Sequence, residues 1–202
     1  MSNIDYTEIR TKERVEKVER VLSNRQPDLK VVMENVHDPH NISAALRSCD
    51  ATGILDVDLI YHTGQTKPKL GKQSSASAKK WVNCNYYNDL QDCFTNLKKD
   101  GFTIFTTHLA TDSVDLYEMD FTQKIALVFG NEHEGVTEKA LSLSDGNFII
   151  PQVGMIQSLN ISVSVAVTLY EAYRQRYLKG FYNNSRFDKT EHNNKLNEWL
   201  SK

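Results

Sequence analysis

The sequence predicts an α/β protein, a mostly parallel sheet with helices on both faces and a helix at each end of the chain. Three observations carry this. Ile125-Ala126-Leu127-Val128-Phe129 is apolar without a break, as a central parallel strand should be. Further short apolar runs, at Leu29–Met33, Leu55–Tyr61, Phe102–Thr107 and Phe148–Ile150, are separated by segments whose apolar residues recur at helical spacing. Finally, Ile125–Phe129 runs straight into Gly130-Asn131-Glu132-His133-Glu134-Gly135. A glycine-bounded turn after such a strand is a ligand position in open α/β sheets.

At 202 residues, with 40% hydrophobic and 25% charged residues, the chain supports one domain with terminal extensions and can bury a core. Its longest apolar runs fall far short of a membrane span and the N-terminus has no signal-peptide core, so no membrane association is expected. The three cysteines, Cys49, Cys84 and Cys93, form no C-x-x-C pair; as free or buried thiols they suit a reducing, cytoplasmic setting. A formal net charge of −2 lends no support of its own to a nucleic-acid role, which would rest on local basic patches.

Residues 1–27 are charge-rich with a narrow apolar stripe, Ile9, Val15, Val18, Val21 and Leu22, and predict one surface helix ended by Gln26-Pro27. Leu29–Met33 is the first strand. After the polar loop Glu34–His40, Asn41 starts a helix in which Ile42, Ala45, Leu46 and Cys49 share a face. Ala44 and Ala45 allow another backbone to approach, and Gly53 ends the helix. Read alone, Arg47 is a surface arginine. His37 and His40 find no third ligand at suitable spacing, so no metal site is expected. Leu55–Tyr61 is the second strand.

Gly64–Lys80 predicts a long loop carrying Lys67, Lys69, Lys72, Lys79 and Lys80, with no acid between Asp58 and Asp89. It reads as a solubilising surface or as a phosphate-binding loop. Trp81–Tyr87 is strand-like, and Asn88 caps a helix through Lys99 that Gly101 stops. The turn after Phe129 is not a P-loop, because Lys-Ser/Thr is missing, nor a G-x-G-x-x-G. Thr137–Leu143 is a short helix.

In Phe148–Tyr177 three types of segment follow without a gap. A strand stops at Pro151; a loop bends at Gly154, where φ > 0 costs little; a long apolar helix follows the good capping types Ser158 and Asn160. Such a junction can hold a small polar ligand on backbone N–H groups and a helix start, and is also an ordinary strand-to-helix connection. The helix begins apolar nearly all round, hence buried by the core or by a second subunit. Its later part, with Tyr170, Tyr173, Arg174, Arg176, Tyr177 and Lys179, interleaves cations with aromatics. That composition suits RNA backbone and splayed bases, although cations also suit a helix C-terminus. Residues 187–202 predict an amphipathic tail helix anchored by Leu196, Trp199 and Leu200.

Three strings stand out: Asn41-x-x-Ala44-x-x-Arg47, Phe129-Gly130-Asn131-Glu132-x-x-Gly135, and Ile150-Pro151-x-x-Gly154-x-x-x-Ser158-Leu159-Asn160-x-Ser162-Val163. In order and separation they resemble the signature motifs of the SpoU-type RNA 2′-O-ribose methyltransferases, over roughly residues 28–180. The flanks, with Arg25-Gln26-Pro27-Asp28-Leu29, Glu34-Asn35-Val36-His37 and a final helix ending in Trp199-Leu200, are similar to those of the bacterial tRNA (guanosine-2′-O)-methyltransferases of that family. His133-Glu134 and the lysine-rich 64–80 loop depart from the family pattern.

The resemblance implies a methyltransferase domain at 28–180 between helical extensions at 1–27 and 181–202. It implies a C-terminal trefoil knot of the SPOUT type and a homodimer with active sites at the interface. S-adenosylmethionine would be the methyl donor, held by Thr107, Leu109, Gly130, Glu132, Ile150, Ser158, Leu159 and Asn160, with no metal required. Arg47 would be catalytic, supported by Asn41. The substrate would be tRNA, methylated on the ribose of a D-loop guanosine (position 18). The basic patches supply candidate RNA contacts: Lys79, Lys80, Arg174, Arg176 and Lys179. Two alternatives stand beside this reading. A ribosomal-RNA 2′-O-ribose methyltransferase is one, although the N-terminal extension is short for a separate RNA-binding domain. The other is a non-catalytic RNA-binding relative, against which the intact motif residues stand. A nucleotide-dependent oxidoreductase lacks its fingerprint here.

Overall fold

The computed structural model describes residues 5–62, 64, 67–68, 78–110, 113–131, 133–156 and 158–202. In chain order the elements are α1 (Lys12–Ser23), β1 (Leu29–Glu34), α2 (Pro39–Thr52), β2 (Asp56–Ile60), α3 (Ala78–Trp81), β3 (Asn83–Tyr87) and α4 (Leu90–Lys99). Then come β4 (Thr103–Thr107), β5 (Val114–Asp115), β6 (Ile125–Phe129), α5 (Glu138–Leu143), β7 (Gly146–Ile149), α6 (Ile161–Leu178) and α7 (Lys189–Ser201).

The strands form one sheet in the order β3-β2-β1-β6-β4-β7-β5, and every neighbouring pair is parallel. β1 and β6 lie inside, with Val31 opposite both Val57 and Leu127. All five residues of β6 are buried, which is why the sequence there shows no polar alternation. Successive side chains point to opposite faces. Val31, Met33, Leu127 and Phe129 pack under α2 and α6, whereas Val32, Ala126 and Val128 pack under α4 and α5. The expected layering, helices on both faces of a parallel sheet, is therefore present. The two ends of the chain meet: Val18 and Leu22 of α1 share a cluster with Leu196, Trp199 and Leu200 of α7. Among the described residues no helix is long and apolar enough to cross a membrane.

Local chemistry moves some boundaries. α2 begins at Pro39 rather than Asn41, because Asp38 Oδ1 accepts from the His40 N–H at 2.8 Å and proline at the first helical position forgoes no bond. Gly53, at φ +88°, closes α2 in the left-handed region, and a Cβ there would lie 2.5 Å from the Asn24 carbonyl oxygen. Trp81 ends a short helix, so only Asn83–Tyr87 pairs with β2. Asp89, not Asn88, caps α4. β5 has two residues, too few for any pattern to announce it.

Candidate active site

Parallel strands bring their C-terminal ends to one edge, and there the motifs converge. Beyond β4 and β7 lies a cavity of about 210 Å³. Thr107, His108 and Leu109 line it from β4, Phe148, Ile149 and Ile150 from β7, Gln152, Ser158 and Leu159 from the following loop, and Ser164 from the first turn of α6. The walls are fixed by hydrogen bonds: the Thr107 hydroxyl donates to the Val128 carbonyl at 3.2 Å, and the His108 N–H to the Phe148 carbonyl at 3.1 Å. Hydroxyls and apolar side chains line one space, a mix that suits a small ligand with both polar and apolar parts.

Five of the residues assigned to the cofactor, Thr107, Leu109, Ile150, Ser158 and Leu159, line this cavity. Asn160 follows directly as the N-cap of α6: its Oδ1 accepts from the Ser162 N–H at 2.9 Å and hydroxyl at 2.7 Å. Its Nδ2 donates to Asn41 Oδ1 at 3.0 Å, so the first and third motifs touch. Ser158 is exposed and does not cap the helix. Arg47 is exposed on α2, past Asn41. The bend at Gly154 needs no left-handed residue: Gly154 is not in the positive-φ region, and a Cβ there would meet open space. The loop runs over the surface, with Val153 and Met155 almost fully exposed.

The second motif closes on itself just past the end of β6. Asn131 and Gly135 exchange N–H···O bonds of 2.9 Å in both directions. Gly130 is buried in the closure, where a Cβ would lie 2.0 Å from the Gly135 carbonyl carbon. Glu132 lies outside the described residues. The end of β1 holds both ends of this loop. The Asn35 carbonyl accepts from Asn131 Nδ2 at 2.9 Å. Glu34, fully buried, accepts from the Thr137 N–H at 2.9 Å and hydroxyl at 2.7 Å, with His62 Nε2 at 3.2 Å. Nothing in the sequence had singled out Glu34 or Asn35 for this clamp. The available signal was a carboxylate placed directly after a buried apolar run. Phe148, Ile149 and Ser164 of the cavity were likewise given no role of their own.

The candidate RNA contacts divide. Lys79, Lys80 and Lys179 are exposed, and Lys80 Nζ donates to the Lys202 carbonyl at 2.8 Å. Lys69 and Lys72 of the loop lie outside the described residues. Arg174 is exposed, but its guanidinium donates to Glu171 at 2.8 and 2.7 Å and thereby holds that carboxyl below its ordinary range. Arg176 is a correction. It is fully buried and donates to the carbonyls of Phe121 at 2.8 Å and Gln123 at 2.9 Å, to Gln26 Oε1 at 3.1 Å and to the Asp28 carboxylate. It continues the inner stripe Ile161, Val165, Leu169 and Ala172 of α6, so RNA cannot reach it. Among the described residues, no group of three His, Cys, Asp or Glu side chains could hold a metal ion.

Comparison with known proteins agrees with this geometry. The model of the SpoU rRNA Methylase family matches residues 28–170. The chain is 46% identical, over 96% of its length and 98% of the relative's, to a tRNA (guanosine(18)-2′-O)-methyltransferase of Thermus thermophilus. The crystal structure of the A. aeolicus TrmH/SpoU tRNA modifying enzyme superposes with a TM-score of 0.87 at 36% identity, covering 94% of this chain and 96% of that one. The SpoU methyltransferase AviRb from Streptomyces viridochromogenes, in complex with the cofactor AdoMet, superposes with a TM-score of 0.66 at 25% identity, covering 83% and 65% of the two chains. With its motifs gathered at one edge of the sheet and a family model matched across most of its length, the chain belongs to the SpoU rRNA methylase family.

Proposed function

We propose that this chain transfers a methyl group from S-adenosylmethionine to the 2′-hydroxyl of guanosine 18 in the tRNA D-loop. One observation carries the reading: the Asn160–Asn41 bond ties the helix bearing Arg47 to the loop that walls the cavity, in a chain similar end to end to enzymes of that activity. The cofactor supplies an electrophilic methyl on a sulfonium, so the protein mainly has to orient the attacking oxygen. Leu109, Ile150 and Leu159 offer apolar walls, and Thr107 and Ser158 offer hydroxyls. The Arg47 guanidinium, a poor base, holds a phosphate beside the reacting ribose and stabilises negative charge as it develops on the 2′-oxygen.

Residues 28–180 form the methyltransferase domain in this reading, tied in a trefoil knot through the loops after β4, β6 and β7, and the enzyme works as a homodimer. An exposed apolar stripe supports the dimer: Met155, Ile156, Leu159, Val163, Tyr170 and Tyr177 run from the cavity loop along one side of α6. The free cysteines suit a cytoplasmic location.

The test has two parts. S-adenosylmethionine should raise the melting temperature and NAD should not, since a ligand that binds only the folded state stabilises it. Incubation with tRNA and the cofactor should place one 2′-O-methyl on guanosine 18. An equal shift with NAD, or methylation of ribosomal RNA and not tRNA, overturns the reading.

A further inference from the structure

The edge of the sheet that holds the cavity continues past β1 to β2 and β3, and there it carries a row of rings that the site described so far does not use. His37, just before α2, lies 5.6 Å from Tyr61 between ring centroids, with the planes tilted by 47°. Tyr61 follows β2 and lies 6.5 Å from Tyr86 of β3 in a stacked arrangement, 25° between planes. Tyr61 is buried and its hydroxyl donates to the Val36 carbonyl at 2.8 Å, so the middle of the row is fixed. The outer members are not covered: Tyr86 is 39% exposed and His37 is exposed. The ammonium of Lys67, itself exposed, lies 5.5 Å from the centroid of Tyr86.

Strand propensity accounts for a tyrosine at this position of β3. It does not account for an open ring linked through Tyr61 to a second open ring, with a lysine beside it, on the strand edge where α/β folds bind ligands. The row starts at His37, four residues before Asn41 in sequence. It ends two strand spacings away, roughly 10 Å, a distance that suits a neighbour in an RNA strand better than the reacting nucleotide. A ribose presented for in-line attack must leave the regular stack, and its neighbours lose a stacking partner when it does. Aromatic faces replace that partner whatever the base, and a lysine beside them meets the phosphate.

We propose that His37, Tyr86 and Lys67 form a stacking platform for an unpaired nucleobase next to the methylated nucleotide. This rests on the RNA-methyltransferase reading. The probe is a tRNA transcript with 2-aminopurine beside the target guanosine, used with the full chain. Wild type should bind and methylate it and change its fluorescence. If wild type does neither, the functional reading fails, and the platform with it. Tyr86→Ala should weaken RNA binding about tenfold and abolish the fluorescence change, with S-adenosylmethionine affinity and salt slope kept. Tyr86→Trp should restore both signals, and Lys67→Ala should lower the salt slope by about one counterion. His37→Ala tests the row from an exposed loop, without touching the sheet. Wild-type affinity and fluorescence in both Tyr86→Ala and His37→Ala, or a loss that tryptophan does not rescue, overturns the platform.

Discussion

Asn160 and Asn41, 119 residues apart in sequence, are joined by an amide–amide hydrogen bond of 3.0 Å. Asn160 thus does two things with one side chain: its oxygen caps α6 and its nitrogen holds α2. Substitution separates the two. Asn160→Ala should lose the cap, about 1 kcal/mol, and the methylation rate together. Asn160→Asp keeps the capping oxygen but sets a carboxylate against Asn41 Oδ1, so stability should stay closer to wild type while the rate falls as far as in Asn160→Ala. Urea unfolding and single-turnover methylation on the same preparations check this; a fully active Asn160→Asp would show that the bond is dispensable.

Arg47 is expected to act through charge and shape. Arg47→Ala should lose about two orders of magnitude in rate and keep the thermal shift given by S-adenosylmethionine. Arg47→Lys should retain a small activity, since charge survives and the planar fork does not. The rising limb of the single-turnover pH profile should be unmoved in Arg47→Lys. A limb that follows the substituted side chain would make Arg47 a titrating base.

Arg174 and Arg176 are two positions apart and should behave oppositely. Arg176→Ala leaves the Phe121 and Gln123 carbonyls without the buried guanidinium and the half-buried Asp28 carboxylate with Arg186 alone, and breaking a buried charge pair costs up to about 3–5 kcal/mol. Its melting temperature should fall sharply. Arg174→Ala should melt near wild type and lower the salt slope of tRNA binding by about one counterion. An unchanged slope would take Arg174 off the RNA.

Asp58 should set a pH dependence of stability. It is fully buried on β2, 3.6 Å from Lys30. Burial raises its carboxyl above the ordinary range, outweighing the help of Lys30 and Asn85. A carboxyl raised in this way contributes stability below its unfolded pKa and loses it as pH rises through the folded value. Asp58→Asn should therefore gain on wild type between about pH 4 and pH 7. Urea unfolding at both ends of that range is the measurement, and the reverse trend would mean that the Lys30 pair dominates.

The legible parts of this fold were those where one physical signal stood alone. Ile125–Phe129 had only burial to express, so its place inside a parallel sheet could be read directly. Gly53 could be read because helix termination there needs φ > 0. Where two demands meet, the pattern gave less. The sequence around Arg176 looks basic and aromatic, and charge count pointed to RNA; helical spacing from Ile161 through Val165, Leu169 and Ala172 would have put it inside. Half of the cavity lining could be named because its strings are contiguous. The clamp from Glu34 to Thr137 was not, because its partners are 103 residues apart and nothing local in either one names the other.

Asp28, which accepts from Arg176 and also from Arg186 of the segment before α7, is fastened on a schedule. Asp28 is made first, and its two guanidinium partners come 148 and 158 residues later. At synthesis rates of about 5–20 residues per second, that interval is roughly 7–30 s. Throughout it, β1 can be translated and its neighbours can follow, but the half-buried Asp28 carboxylate has no counter-charge from either arginine. The nascent chain must leave that corner open to water until α6 and the tail arrive, so a ribosome stalled before Arg176 would hold a sheet whose first strand is complete and whose last lock is missing.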